Sequence, residues 1–147
     1  MTNKFSFSTD TATLSVFDVA SLKHRVNDDP DWWSIPDDEV GEINKGNVLF
    51  LNLGSDGDYT VEICDDLKEG YGALFLNIPV GKVFIGAGED TSGGDLEPDG
   101  SDYMSGIFFE LSPGFYEVKF KKERYNILLS FKKSNRGINN INDLIRL

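Results

Sequence analysis

The sequence predicts a mainly β protein, an antiparallel β-sandwich of about eight or nine short strands, with residues 1–147 forming a single domain. Apolar and polar residues alternate with a period of two through most of the chain, as expected for strands with one buried face. Turn-forming glycine, proline and aspartate residues separate these runs at intervals of about eight to twelve residues. The chain is 147 residues long and 39% hydrophobic, which is enough for one domain with a sizeable core.

The first half of the chain contains three clear predicted strands. In residues 11–18, the side chains at every second position fall on one apolar face. Residues 48–53 and 59–64 alternate in the same way and are separated by Gly54-Ser55-Asp56-Gly57. Because glycine adopts positive φ at little cost, this segment predicts a four-residue hairpin loop between two paired strands.

The second half contains five more predicted strands and a short helix. Residues 73–78 and 82–87 flank Pro79-Val80-Gly81, residues 104–111 and 115–122 flank Ser112-Pro113-Gly114, and residues 125–133 follow. Proline fixes φ at the start of both turns and glycine tolerates the exit, so the two turns have the same chemistry. Residues 139–147 predict a short C-terminal helix with Asn139 or Asn140 as its cap.

Charge is unevenly distributed along the chain. Residues 1–114 hold 22 of the 25 acids and 6 of the 14 bases, a net charge of −16, whereas residues 115–147 have a net charge of +5. Two acidic clusters contain no base: residues 28–42, with Asp28, Asp29, Asp31, Asp37, Asp38, Glu39 and Glu42, and residues 89–102, with Glu89, Asp90, Asp95, Glu97, Asp99 and Asp102. Such clusters attract a basic partner protein and repel nucleic acid phosphates and anionic membranes.

Trp32 and Trp33 lie inside the first acidic cluster, between Pro30 and Pro36. Adjacent residues of an extended segment point to opposite sides, so one indole can enter the core while the other faces outward. An exposed indole rimmed by carboxylates would be a binding hot spot; the alternative is that both indoles are buried beneath the loop. The predicted partner-binding residues are therefore Trp32 and Trp33 together with Asp28, Asp29, Asp31, Asp37, Asp38, Glu39, Glu89, Asp90, Asp95, Glu97, Asp99 and Asp102.

The sequence predicts no catalytic site, no structural metal site and no cofactor. His24 is the only histidine, so every nucleophile–base arrangement would need it, and it lies between two bases at a position typical of a solvated surface. One histidine and the single Cys64 cannot supply a structural zinc site. A lone cysteine and an N-terminus without an apolar leader indicate a cytoplasmic protein. Residues 88–102 offer oxygen donors for Ca²⁺, but their spacing matches no known calcium loop.

Part of the chain resembles a known family. Leu76-Asn77-Ile78-Pro79-Val80 and the segment 109–118, which reads FELSPGFYEV, resemble the β-sandwich of the small competence-associated nuclease inhibitors. The chain as a whole is similar to the compact acidic immunity proteins that bacteria encode beside contact-delivered toxins. The charge pattern and this resemblance lead to one hypothesis: a cytosolic inhibitor that binds and neutralises a basic toxin protein, such as a nuclease. The alternative is a β-sandwich that holds a carbohydrate or Ca²⁺ with the tryptophans and the acidic loops.

Overall fold

Ten strands, one α-helix and three short 3-10 turns make up residues 3–99 and 104–147, which the computed structural model describes. The strands are β1 (Asn3–Thr9), β2 (Thr13–Asp18), β3 (Leu49–Asn52), β4 (Gly57–Cys64), β5 (Gly72–Ile78), β6 (Lys82–Ala87), β7 (Gly106–Glu110), β8 (Gly114–Glu123), β9 (Asn126–Ser134) and β10 (Ile145–Arg146). The helix, α1, spans Pro36–Asn44. The protein is therefore mainly β, as predicted.

The strands form two five-stranded sheets. The first sheet has the order β1-β4-β9-β8-β5 and the second sheet has the order β10-β3-β2-β6-β7. The inward side chains of both sheets belong to one hydrophobic cluster. Within the described residues, β4 pairs with β9 and β3 pairs with β10 in parallel, and all other pairs are antiparallel. The prediction of an antiparallel sandwich of about eight or nine strands is thus corrected to ten strands in two sheets, each with one parallel pair.

The predicted hairpin between residues 48–53 and 59–64 is wrong, because β3 lies in the second sheet and β4 in the first. Burial explains the separation. Three consecutive residues of β3, from Leu49 to Leu51, are buried, so this strand needs cover on both faces. In β4 only Tyr59, Val61 and Ile63 are buried, as the alternation predicts, and the intervening side chains are partly exposed. The Gly54–Gly57 turn therefore carries the chain from one sheet to the other.

The two proline–glycine turns also cross between the sheets. One connects β5 to β6 and the other connects β7 to β8, each passing from one sheet to its neighbour. At the first turn the buried Asp18 carboxylate accepts hydrogen bonds from the backbone N–H groups of Val80 (2.9 Å) and Gly81 (2.8 Å). Gly81 has φ +96°, and a Cβ there would collide with the Leu111 carbonyl oxygen. Similar turn chemistry thus makes two equivalent crossings.

The predicted C-terminal helix is wrong, because residues 139–144 are irregular and the chain then forms β10, parallel to β3. Two asparagine side chains tie this segment to distant parts of the chain through hydrogen bonds to backbone groups. The Asn139 amide donates to the carbonyls of Ile43 and Phe75 (both 2.8 Å) and accepts from the Phe75 N–H (2.7 Å). The Asn44 amide bonds both the N–H (2.8 Å) and the carbonyl (2.9 Å) of Ile141. Such side-chain bonds to backbone compete with helix formation.

The helix lies instead inside the first acidic cluster. Pro36 occupies its first turn, followed by Asp37, Asp38 and Glu39. Proline is favoured at the first helical position and carboxylates are favoured near the positive end of the helix dipole. These signals were present in the sequence. No helix within residues 3–99 and 104–147 is long and apolar enough to cross a membrane.

Candidate functional site

The second sheet is covered on its outer face by a layer that contains both acidic clusters. All six residues of β2 and five of the six residues of β6 are buried, although a two-layer arrangement would leave one face of each strand open. The covering segments are residues 23–47, which include α1, and residues 88–99. We call these two segments the acidic layer. Their position explains why both faces of β2 are buried.

Two indoles attach the acidic layer to the sheet. The Phe50 ring lies 5.6 Å from the Trp33 ring in a stacked arrangement and 6.0 Å from the Trp32 ring at a steep angle. The Trp32 Nε1–H also donates to the Ser92 carbonyl at 2.7 Å, which joins the two segments of the layer. Trp32 is 3% exposed and Trp33 is 7% exposed. Of the two alternatives that the sequence left open, the one in which both indoles are buried is therefore observed, and neither indole is an exposed hot spot.

The two acidic clusters form one surface. The Gly94 N–H donates to the Asp28 carbonyl and the Asp95 N–H donates to the Val26 carbonyl, both at 2.7 Å. The Lys23 ammonium group lies 3.2 Å from the Glu97 carboxylate. Segments that are more than 60 residues apart in the chain are thus bonded side by side. The sequence showed two separate acidic clusters, and only the tertiary structure brings them together on one surface.

Arg25 neutralises part of this surface from within. Its guanidinium group bonds the carboxylates of Glu42 (2.7 Å), Asp28 (3.1 Å) and Asp38 (3.2 Å). It also lies 4.4 Å from the Trp32 ring centroid, a cation–π contact. Burial would lower the pKa of Arg25, but the hydrogen bonds to these carboxylates outweigh it and raise the pKa. The sequence did not indicate this role for Arg25.

Glu42 is the most deeply buried of the three carboxylates bound by Arg25. It also bonds the His24 Nε2 (2.8 Å) and accepts from the Asn47 amide (2.8 Å). Burial would raise the pKa of Glu42, but the hydrogen bonds from Asn47, Arg25 and His24 hold it below the ordinary value. His24, predicted to be a solvated surface residue, is half exposed and bonded to this carboxylate.

The predicted acidic residues lie in three environments: exposed, half-buried and, for Glu39, buried. Asp29, Asp31, Asp37, Asp95 and Asp99 are exposed, whereas Asp28, Asp38, Glu89, Asp90 and Glu97 are half-buried. Among the described residues, Asp29, Asp31, Asp37 and Asp95 make no ion pair. Asp102 lies outside the described residues. The unpaired exposed carboxylates are the part of the layer that is free to meet a partner.

Glu39 is not at the surface. It is 2% exposed, and its Oε2 has no hydrogen-bond partner in the described part of the chain. Burial raises the pKa of Glu39 to about 7, and the positive charge of Arg146 opposes that rise. The carboxyl group of Glu39 therefore cannot make the direct partner contact predicted for it in this conformation.

Glu89 and Asp90 hold the loop after β6. The Glu89 carboxylate accepts hydrogen bonds from the Thr9 hydroxyl (2.7 Å), the Asp10 N–H (2.6 Å) and the Thr11 hydroxyl (2.8 Å). Burial would raise the pKa of Glu89, but these bonds lower it, so the group stays ionised.

Asp90 accepts one hydrogen bond, from the Ser105 N–H to Oδ2 at 2.7 Å, among the residues described. Burial raises the pKa of Asp90 above its ordinary value, the Ser105 bond opposes the rise, and the adjacent charge of Glu89 adds to it. The two neighbouring carboxylates therefore differ in role: Glu89 is fully engaged by the β1–β2 turn, whereas Asp90 keeps bonding capacity.

The basic residues lie on the other sheet. Lys119 and Lys121 of β8 alternate with the buried Val118 and Phe120, so they face outward from the first sheet. Lys119 is bonded to Asp66 at 3.0 Å. The two acidic clusters therefore cover the second sheet, whereas the lysines of β8 and β9 lie on the first. In residues 3–99 and 104–147, no three His, Cys, Asp or Glu side chains are grouped so that they could hold a metal ion.

The chain belongs to a family of unknown function, DUF6386, whose model matches residues 1–147. No curated protein matches it by sequence. Two solved structures have a similar fold. A protein described as crocagin biosynthetic gene J is 11% identical, with a TM-score of 0.58, over 91% of this chain and 97% of its own. ComJ from Bacillus subtilis, described as an inhibitor of the DNA degrading activity of NucA, is 10% identical, with a TM-score of 0.54, over 90% of this chain and 96% of its own. The expected resemblance to a nuclease inhibitor is thus confirmed in fold.

Proposed function

We propose that this protein is a cytoplasmic inhibitor that binds a toxin enzyme, a basic nuclease, through the acidic layer and blocks its cleft. The observation that carries the proposal is the merging of two acidic clusters into one surface, on which Asp29, Asp31, Asp37 and Asp95 make no ion pair within residues 3–99 and 104–147. A nuclease cleft is positively charged because it binds phosphates. A surface rich in carboxylates complements such a cleft and speeds association.

The fold supports the same proposal. A protein with this fold, ComJ, is described as inhibiting a DNA-degrading enzyme. Its likeness to this chain lies in the arrangement of strands, so the binding residues proposed for this chain rest on its own charges. The buried tryptophans hold the layer in place, and the exposed carboxylates make the contact.

The test is inhibition of a nuclease by the purified protein. The product of the adjacent reading frame is the first enzyme to assay, because immunity genes usually stand beside their toxins. DNA cleavage is measured with increasing inhibitor, and association and dissociation rates are measured at about 0.01 and 0.1 M NaCl, between which the Debye length falls from about 30 to about 10 Å. We expect stoichiometric inhibition and an association rate that falls with salt.

A charge-matched pair of variants locates the interface. The triple variant Asp29→Asn, Asp31→Asn, Asp37→Asn removes three exposed charges from the acidic layer. The control Asp56→Asn, Glu69→Gln, Glu110→Gln removes three exposed charges elsewhere. We expect only the first to slow association and flatten its salt dependence. Equal effects of the two variants would show that net charge, and not this surface, drives binding.

The ligand-binding alternative has its own signature. A rise in melting temperature with CaCl₂ or with an oligosaccharide, without inhibition of any nuclease, would favour it over the proposed inhibitor. The burial of Trp32 and Trp33 removes the aromatic platform on which a sugar would stack. The proposal therefore rests on the carboxylates alone.

A further inference from the structure

A cleft of about 240 Å³ opens in the acidic layer beside the first acidic cluster. Its walls include the apolar side chains of Pro30, Leu96 and Met104, and its polar lining includes Glu89, Asp90 and Thr91. The cleft is smaller than the roughly 300–1,000 Å³ typical of sites for whole small-molecule ligands. Its size suits a single side chain.

One buried hydroxyl without a hydrogen-bond partner in the described part of the chain belongs to a residue of this cleft. Thr91 is 5% exposed, and its hydroxyl oxygen has no hydrogen-bond partner among the described residues. Buried polar groups are nearly always bonded, so an orphan hydroxyl in a cleft wall points to a missing partner. Asp90 uses only Oδ2, for the Ser105 N–H, in this part of the chain. The Asp90 Oδ1 can accept a hydrogen bond from a donor placed in the cleft. The Thr91 hydroxyl oxygen has almost no accessible surface, so it can accept one only after the Thr91 side chain turns toward the cleft.

The charge in the cleft selects the donor. Glu89 is held ionised by the bonds from Thr9, Asp10 and Thr11. Its charge, beside the Asp90 carboxyl, makes the cleft negative. A cationic donor is attracted electrostatically by both carboxyl groups and forms a stronger hydrogen bond to Asp90 than a neutral donor does.

We propose that this cleft receives the side chain of one arginine or lysine from the partner enzyme. The cation pairs with Asp90 and donates to the Thr91 hydroxyl. The apolar stem of the side chain lies against Leu96, which is 69% exposed in the free protein, and against Pro30 and Met104. This inference rests on the proposed function, because it names the partner group that the acidic layer would bind.

The test uses small probes and therefore needs no identified partner. Nα-acetyl-arginine methylamide is titrated into the ¹⁵N-labelled protein, and the neutral isostere Nα-acetyl-citrulline methylamide is the control. We expect the arginine probe to shift the amide signals of Gly93 and Gly94, which also line the cleft, and to bind about ten-fold or more tightly than citrulline.

Single-charge variants show whether the probe binds in the cleft or only to the overall negative charge of the protein. Asp90→Asn should weaken the arginine probe about ten-fold, as expected for losing a charge-assisted bond. Asp56→Asn removes the same charge from an exposed residue outside the acidic layer that does not line the cleft, and should leave binding of the arginine probe nearly unchanged. Thr91→Val keeps the shape of the side chain without its hydroxyl and should also weaken the arginine probe, which provides a second variant if Asp90→Asn does not fold.

Three results would overturn the inference: no shift of these amides at the highest soluble probe concentration, equal binding of citrulline, or equal losses in Asp90→Asn and Asp56→Asn. The two proposals can fail separately. If the arginine probe binds while no nuclease is inhibited, the cleft assignment stands and the inhibitor function fails. If a nuclease is inhibited while the probe does not bind, the function stands and the cleft assignment fails.

Discussion

The two buried indoles provide a matched test of how the acidic layer is held, because the same substitution should have different costs at adjacent positions. Both stack on or against Phe50, and both are almost fully buried. They differ in whether the indole N–H is hydrogen-bonded. The Trp32 Nε1–H donates to the Ser92 carbonyl, whereas the Trp33 Nε1 has no partner among the described residues.

The expected magnitudes follow from that difference. Tryptophan to phenylalanine removes similar volume at the two sites, so the cavity cost is similar. Trp32→Phe also leaves the Ser92 carbonyl without its donor, which costs about 1–3 kcal/mol. Trp33→Phe instead removes an unsatisfied buried donor, which should lower the cost by a similar amount. We therefore expect Trp32→Phe to be less stable than Trp33→Phe by about 2 kcal/mol or more.

Urea unfolding measures this difference. With a slope of about 2 kcal/mol per molar urea, the midpoint for Trp32→Phe should be about 1 M lower than that for Trp33→Phe. The slopes should agree, because the surface exposed on unfolding is the same. A Trp33→Phe midpoint equal to or lower than that of Trp32→Phe would refute the reasoning, since the hydrogen bond to Ser92 would then not join the two acidic segments.

Three further predictions concern the charges of the layer. Raising NaCl from about 0.01 to 0.1 M should raise the melting temperature of the free protein by screening the unpaired exposed carboxylates; a flat or falling melting temperature would show that they are compensated internally. The Glu39 carboxyl has a pKa of about 7 when folded, against 4.5 for the unperturbed group, so the folded state binds more protons and its stability falls as pH rises from about 4.5 to 7. Glu39→Gln should therefore be more stable than the wild type at pH 8 by up to about 3 kcal/mol and show little advantage at pH 5; a difference in unfolding free energy that does not change with pH would contradict this. Arg25→Met should cost about 3 kcal/mol in urea unfolding, because it strands the buried Glu42 carboxylate, whereas Lys23→Met, which breaks the exposed pair with Glu97, should cost less than about 1 kcal/mol; similar costs for the two variants would argue against a buried ion pair at Arg25.

The predictions that succeeded depend on short-range pattern. Alternation along β4 and β8 identified the buried faces, since side chains of a strand point to opposite sides whatever the strand pairs with. Residues 115–122 and 125–133, predicted as consecutive strands, are β8 and β9 in the structure. The acidic clusters were visible as charge. Each of these features is set by neighbours within a few residues.

The predictions that failed depend on what lies across space. The sequence could not show that β3 and β4 belong to different sheets on either side of the Gly54–Gly57 turn. The sheet that β3 joins depends on where both of its faces can be buried, which is decided by distant segments. Residues 139–147 have a helical apolar pattern, but Asn44 and Asn139 bond that region to distant backbone. The sequence left open whether one indole is exposed or both are buried, because the third layer that buries them is built from segments far apart in the chain.

By itself, then, the sequence determined the β class, the inward faces of most strands and the separation of acidic from basic residues, because periodicity and charge are local properties. The tertiary structure alone decided that residues 28–42 and 89–99 form one surface, that Arg25 neutralises part of it, and that a cleft with an orphan hydroxyl opens beside Asp90. Those features arise from contacts between segments far apart in the chain. Their energies depend on burial and distance, which are fixed only when the sheets have packed.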